Sequence, residues 1–121
     1  MLFRSASSSN ATGASTATTP DIEKAFTDGV RAYDLGNWKM AAQYMRDAIR
    51  MQSGAQPPKE IRPSGTRRVP YAPQSYLGAA LYEMKADCAT VAPVLNSAQA
   101  EPRASDVQGR LDAARKQCPG Q

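Results

Sequence analysis

The sequence predicts an all-α fold of about five helices arranged as helical hairpins. Three observations carry that prediction. Apolar residues recur at steps of three and four after residue 20, which places them on one face of a helix. Small and large apolar side chains alternate along the first such faces, at Gly29, Tyr33, Gly36, Trp38, Ala41, Met45, Ala48 and Ile49. Small residues let two helices approach and large ones fill the gaps between them. Finally, the spacing Asn37-Trp38-x-x-Ala41-x-x-x-Met45-x-x-Ala48 returns as Asp87-Cys88-x-x-Val91-x-x-x-Leu95-x-x-Ala98, with Gly78 standing for Gly29.

Residues 1–19 are rich in Ser, Thr and Ala without apolar periodicity, which predicts a disordered linker ahead of a helical domain over 20–121. The stretch lacks the apolar core of a signal peptide. Leu2-Phe3-Arg4-Ser5 resembles translated adapter sequence, which leaves open an export signal, a lipid-anchor signal or an upstream domain ahead of the chain as given. The first helix is expected to start at Thr19-Pro20-Asp21, with Thr19 as cap, Pro20 at the first helical position and acids near the positive end of the dipole, and to run to about Leu35. Gly36 takes the left-handed turn and Asn37 caps the second helix, which runs to about Gln52 before Ser53-Gly54.

Residues 53–72 form a long connection in which Pro57, Pro58, Pro63, Gly65 and Pro70 forbid a continuous helix. Ile61 and Val69 are its expected anchors to the body. A third helix is expected from Ala72-Pro73 to about Lys85, with Tyr76, Leu77, Ala80, Leu81 and Met84 on one buried face. A fourth follows the N-cap Asp87 and ends near Ala100, with its start kinked or displaced by Pro93. The last spans Asp106 to Gln117, where Ser105 and Gln108 have capping-box spacing. Its apolar stripe is Val107, Leu111, Ala114 and Cys118, with Arg110, Asp112, Arg115 and Lys116 on the opposite side.

Composition excludes several function classes. The net charge of +4 is local: residues 21–51 and 73–121 each hold five acids and five bases, so the excess comes from Arg4 and from Lys59, Arg62, Arg67 and Arg68 in the connection, set against Glu60 alone. A nucleic-acid binder more often carries its basic face on an ordered element, so nucleic acid is not the expected partner. No apolar run is long enough to span a bilayer. There is no histidine, and two cysteines alone make no zinc site. The glycines stand singly and no nucleophile–base pair is visible. Neither an enzyme, a cofactor nor a metal is expected.

Cys88 opens the fourth helix and Cys118 ends the fifth. If those helices run antiparallel, each about 18 Å long at 1.5 Å per residue, the thiols meet at one end within disulfide reach. The alternative is two free thiols in a cytoplasmic protein. A bridge would imply an oxidising, periplasmic or exported setting.

The hairpin Phe26 to Met51 resembles a tetratricopeptide repeat. Its echo departs from the pattern, with Cys88 in place of the usual aromatic and no glycine before Asp87. Such repeats recur every 34 residues, whereas Trp38 and Cys88 stand 50 apart; the difference of 16 is close to the length of the Pro-rich connection. The resemblance covers about 21–52 and 71–100. It implies a right-handed array: repeat one over 20–52, an inserted loop over 53–72, repeat two over 73–100 and a capping helix over 105–118. The stretch from Val69 through Tyr82, followed by Asp87-Cys88, is similar to bacterial two-repeat modules of larger, often exported, proteins. The resemblance further implies a non-catalytic protein- or peptide-binding scaffold. Its groove would present Phe26, Val30, Tyr33 and Asp34 from the first repeat and Ser75, Ala79, Tyr82 and Glu83 from the second, suiting a peptide of basic character. Alternatively both tyrosines pack between helices, and the domain is a structural piece packing against another part of its own chain. The basic loop Lys59, Arg62, Arg67 and Arg68 either folds over the acidic groove, stays solvated, or binds an anionic polymer.

Overall fold

A computed structural model describes residues 17–62 and 68–119. Over these described residues the fold is all-α, with five helices and one short hairpin of strands. In chain order these are α1 (Thr19–Asp34), α2 (Trp38–Met51), β1 (Glu60–Ile61), β2 (Val69–Pro70), α3 (Pro73–Glu83), α4 (Cys88–Ala98) and α5 (Ser105–Gln117). Most of the predicted linker lies outside the described residues.

Helix α1 starts one residue earlier than the sequence suggests. Thr18, not Thr19, is the N-cap: the Asp21 N–H donates to Thr18 Oγ1 at 3.3 Å and the Thr18 N–H donates to the Asp21 carboxylate at 3.0 Å. This reciprocal pair is a capping box. The Thr19 hydroxyl is left to donate to the Gln56 carbonyl at 2.7 Å, which ties the start of the connection back onto α1.

Both hairpins turn in the same way. At the end of α1 the Gly36 N–H reaches Tyr33 O and the Asn37 N–H reaches Ala32 O, each at 2.9 Å. At the end of α3 the Lys85 N–H reaches Tyr82 O at 3.0 Å and the Ala86 N–H reaches Leu81 O at 3.1 Å. Each pair satisfies two orphan helix carbonyls in a Schellman motif. The motif needs a left-handed residue, supplied by Gly36 at φ 76° and by Lys85 at φ 59°. Asn37 both completes the first turn and caps α2; in the second, Ala86 completes the turn and Asp87 caps α4, its carboxylate accepting from the Thr90 N–H at 2.9 Å. The echo lacks a glycine and gains a residue, yet keeps the geometry.

The glycines upstream of these turns sit where helices touch. A Cβ on Gly29 would meet Tyr44 Cβ at 3.2 Å and the Met45 methyl at 2.6 Å, so Gly29 seats α1 on α2. A Cβ on Gly78 would meet Leu111 at 3.1 Å and Leu95 at 3.4 Å, so Gly78 seats α3 between α4 and α5. Helix α3 packs on α2, α4 and α5 and touches α1. The expectation of one buried stripe on α3 is therefore corrected. Ser75 through Leu81 are all buried, because neighbours cover the helix on every side.

Two further expectations change at the C-terminal end. Pro93 lies inside α4 without delaying its start at Cys88. Ser105 does not cap α5; the N-cap is Ala104, whose side chain is buried and offers no acceptor. The stripe Val107, Leu111, Ala114 and Cys118 is buried as expected.

The described part of the long connection carries the strand hairpin. Ile61 and Val69 pair across the antiparallel hairpin, and Glu60 pairs with Pro70. Both apolar anchors are buried. The Tyr71 N–H extends the pairing to Lys59 O at 3.0 Å, and the Tyr71 hydroxyl donates to Gln52 at 2.6 Å.

Candidate functional site

Five aromatic side chains form a continuous row through the first hairpin and into the second. The Tyr71 ring lies 4.8 Å from Phe26, Phe26 lies 5.6 Å from Tyr76, Tyr76 lies 5.2 Å from Tyr33, and Tyr33 lies 5.2 Å from Trp38, each pair tilted or edge-on. Such edge-to-face contacts add roughly 0.5–1.5 kcal/mol each to area burial. The row runs from buried Tyr71 to half-buried Trp38, where it meets solvent and charge.

At that open end the row meets Arg110. Its guanidinium carbon lies 4.9 Å from the Trp38 ring centroid and 5.3 Å from that of Tyr33. Its Nη1 donates to the Tyr33 hydroxyl at 2.9 Å, and its Nε is paired with Glu83 Oε2. One side chain of α5 thus joins the end of α1, the start of α2 and the end of α3. A planar guanidinium suits this setting, since it stacks on rings through its faces and donates through its edge. The Glu83 carboxylate raises the Arg110 pKa further above its already high value, with Tyr33 adding to the effect. Burial pushes the Tyr33 hydroxyl above its ordinary pKa, and the Arg110 charge pulls against it.

Beside this cluster is a depression of about 310 Å³ lined by Tyr82, Glu83, Lys85, Ala86 and Gln117. That volume is at the lower end of the range for ligand clefts. Its floor is the second Schellman turn, and its far wall is the last turn of α5.

The structure divides the eight predicted groove residues. Phe26, Val30 and Ala79 are wholly buried and belong to the core. Ser75 is also buried, its hydroxyl donating to Glu101 at 3.0 Å. Tyr33 is buried but presents its hydroxyl to Arg110, and Asp34 is exposed. Tyr82 and Glu83 are half-buried and line the depression. Tyr33 and Glu83 are therefore brought together, but through Arg110 rather than across an open groove.

The basic loop does not supply that arginine. Arg68 pairs with Glu60 at 3.4 Å within the strand hairpin, Lys59 and Arg62 are exposed, and Arg67 lies outside the described residues. Sequence reasoning placed Arg110 on the polar back of α5. It stands three residues after Val107 and one before Leu111, on the flank of the stripe, a position that a wide apolar helix face includes.

Glu101 was also not foreseen. Its carboxylate accepts from the Gln74 and Ser75 N–H groups, both at 2.9 Å, and caps α3 from the α4–α5 connection. The signal was present: α3 opens at Ala72-Pro73, which provides no side-chain cap. Burial holds Glu101 above the usual carboxylate range despite these donors.

Cys88 and Cys118 are bonded, with an S–S distance of 2.01 Å and Cα atoms 5.4 Å apart. Helix α5 touches α4 only lightly, so the bridge is a principal link between them. Among the described residues, no group of three His, Cys, Asp or Glu side chains stands close enough to hold a metal, and no helix is long and apolar enough to cross a membrane. Comparison with protein-family models, with curated proteins and with solved structures finds no match for this chain.

Proposed function

We propose that this domain is a non-catalytic protein- or peptide-binding scaffold of tetratricopeptide type, a module of a larger bacterial envelope protein. The observation that carries the reading is repetition of one unit: two hairpins closed by the same Schellman turn and sealed by α5. Stacked hairpins of this kind present side chains from consecutive units on a shared surface. The proposed contact point is the depression at Tyr82 and Glu83, lined by the second hairpin and the last turn of α5. The Cys88–Cys118 bridge accords with the oxidising side of a bacterial envelope.

Tyr82 is the side chain to test, since it lines the depression and is only half-buried. Titration of the whole chain with a library of extended basic peptides, followed by calorimetry, is expected to find binders. Tyr82→Ala is expected to weaken them about tenfold or more, a loss of about 1.4 kcal/mol, with the fold retained by circular dichroism. Equal binding by the variant would remove the depression from the proposal.

The second reading is a structural unit whose inner face serves only packing within its own chain. It draws on the burial of Phe26, Val30, Ser75 and Ala79. A complete absence of peptide binders, with a covalently linked neighbouring domain raising the melting temperature, would favour it.

A further inference from the structure

We infer that Tyr33, Trp38 and Glu83 form a guanidinium-binding site that Arg110 fills from within the chain, and that the same site takes an arginine side chain of a basic peptide in its place. The inference rests on the scaffold reading for its partner, and it names the chemistry that the partner must present.

The acceptors come from three elements and the donor from a fourth. Tyr33 lies in the last turn of α1, Trp38 opens α2 and Glu83 ends α3, and Arg110 of α5 touches all three. The site is thus built by the hairpins, and α5 supplies its occupant. The helix does not depend on that occupant for its seat. Val107, Leu111 and Ala114 are buried, and Cys118 is bonded to Cys88. The Arg110 side chain is 37% exposed and Glu83 30%, so the site opens to solvent and the arginine can swing out without moving the helix.

The chemistry selects arginine over lysine. The guanidinium carbon sits over the Trp38 and Tyr33 rings, 4.9 and 5.3 Å from their centroids, while its N–H groups reach both the Glu83 carboxylate and the Tyr33 hydroxyl. An ammonium is a compact, strongly hydrated point charge that matches only one of these acceptors well. Because Arg110 is tethered beside the site, it competes at an effective concentration in the millimolar range. The wild-type chain is therefore a weak acceptor for isolated arginine side chains.

Trp38 is the only tryptophan in the chain, so its emission reports this site alone. The probes are n-propylguanidinium chloride at millimolar concentration and an acetylated, amidated Gly-Ser-Arg-Ser-Gly peptide, compared with its lysine counterpart. Arg110→Ala is expected to show a saturable change in Trp38 emission with both guanidinium probes. It is expected to bind the arginine peptide about tenfold or more tighter than the lysine peptide, and about tenfold or more tighter than wild type does. Arg110→Gln, which retains part of the stem, replaces it if circular dichroism shows Arg110→Ala to be unfolded. A folded variant whose emission ignores both guanidinium probes overturns the inference, as does equal binding of the two peptides. Peptides that bind wild type through Tyr82 while the Arg110 variants ignore the probes would overturn it and leave the scaffold reading intact.

Discussion

Lys85 adopts a conformation that an L side chain disfavours. Its φ of 59° is left-handed, and the equivalent place in the first hairpin is held by Gly36 at 76°. A left-handed residue with a Cβ costs roughly 1–2 kcal/mol, which glycine avoids. The two hydrogen bonds of the second Schellman turn compensate, so the turn forms without its usual residue. Lys85→Gly should therefore raise stability by about 0.5–1 kcal/mol, the glycine's greater freedom in the unfolded chain offsetting part of the relief. Gly36→Ala should lower stability by roughly 1 kcal/mol. Urea unfolding of both variants checks the pair, and opposite signs are expected. A loss of stability in Lys85→Gly would mean that the lysine side chain contributes more than its backbone costs.

At the scale of elements, the strand hairpin and Tyr71 fasten the long connection to the helices. Tyr71 stacks on Phe26 and donates to Gln52, which lies just past α2. Burial pushes its hydroxyl far above the ordinary tyrosine value, and the Glu101 carboxylate adds to the shift. A raised folded pKa means that the contribution is complete below the unfolded value near 10 and is lost as pH rises toward the folded one. The domain should therefore lose stability above pH ~10, and Tyr71→Phe should make that loss shallower by up to about 1.4 kcal/mol per pH unit. The same variant should cost about 1 kcal/mol at neutral pH through the lost hydrogen bond. Tyr33, also raised by burial, leaves a residual slope in the variant. Urea melts at pH 8, 10 and 11 read both effects; parallel pH profiles would remove Tyr71 as a source.

Over the whole molecule, what the sequence makes legible is what depends on near neighbours. Helix ranges, the caps at Asn37 and Asp87, and the left-handed glycine all follow from residues within a turn of one another. The meeting of Cys88 with Cys118 needed only helix lengths and an antiparallel assumption. The inner face was not legible in this way. Whether Ser75 and Ala79 line a groove or sit in the core depends on how many helices cover α3, and that is set by its packing on α2, α4 and α5, beyond the reach of a local pattern. Arg110 was misplaced for the same reason, since its aromatic partners lie more than 70 residues away in the chain.

The bridge between Cys88 and Cys118 makes the second half of the domain a closed covalent ring, spanning 30 residues of sequence. Its contribution to stability is about 3–4 kcal/mol for a ring of that size. It also changes what it means to cut the chain. Arg103 is exposed in the link between α4 and α5, within the ring. A tryptic nick after Arg103 would open the backbone and leave residues 104–121 attached through sulfur. On a denaturing gel, the nicked protein should migrate as one species until a reductant is added, and then lose that C-terminal piece. Scission at this point is therefore silent in an oxidising setting and becomes a release of α5, together with Arg110, only when thiols are present.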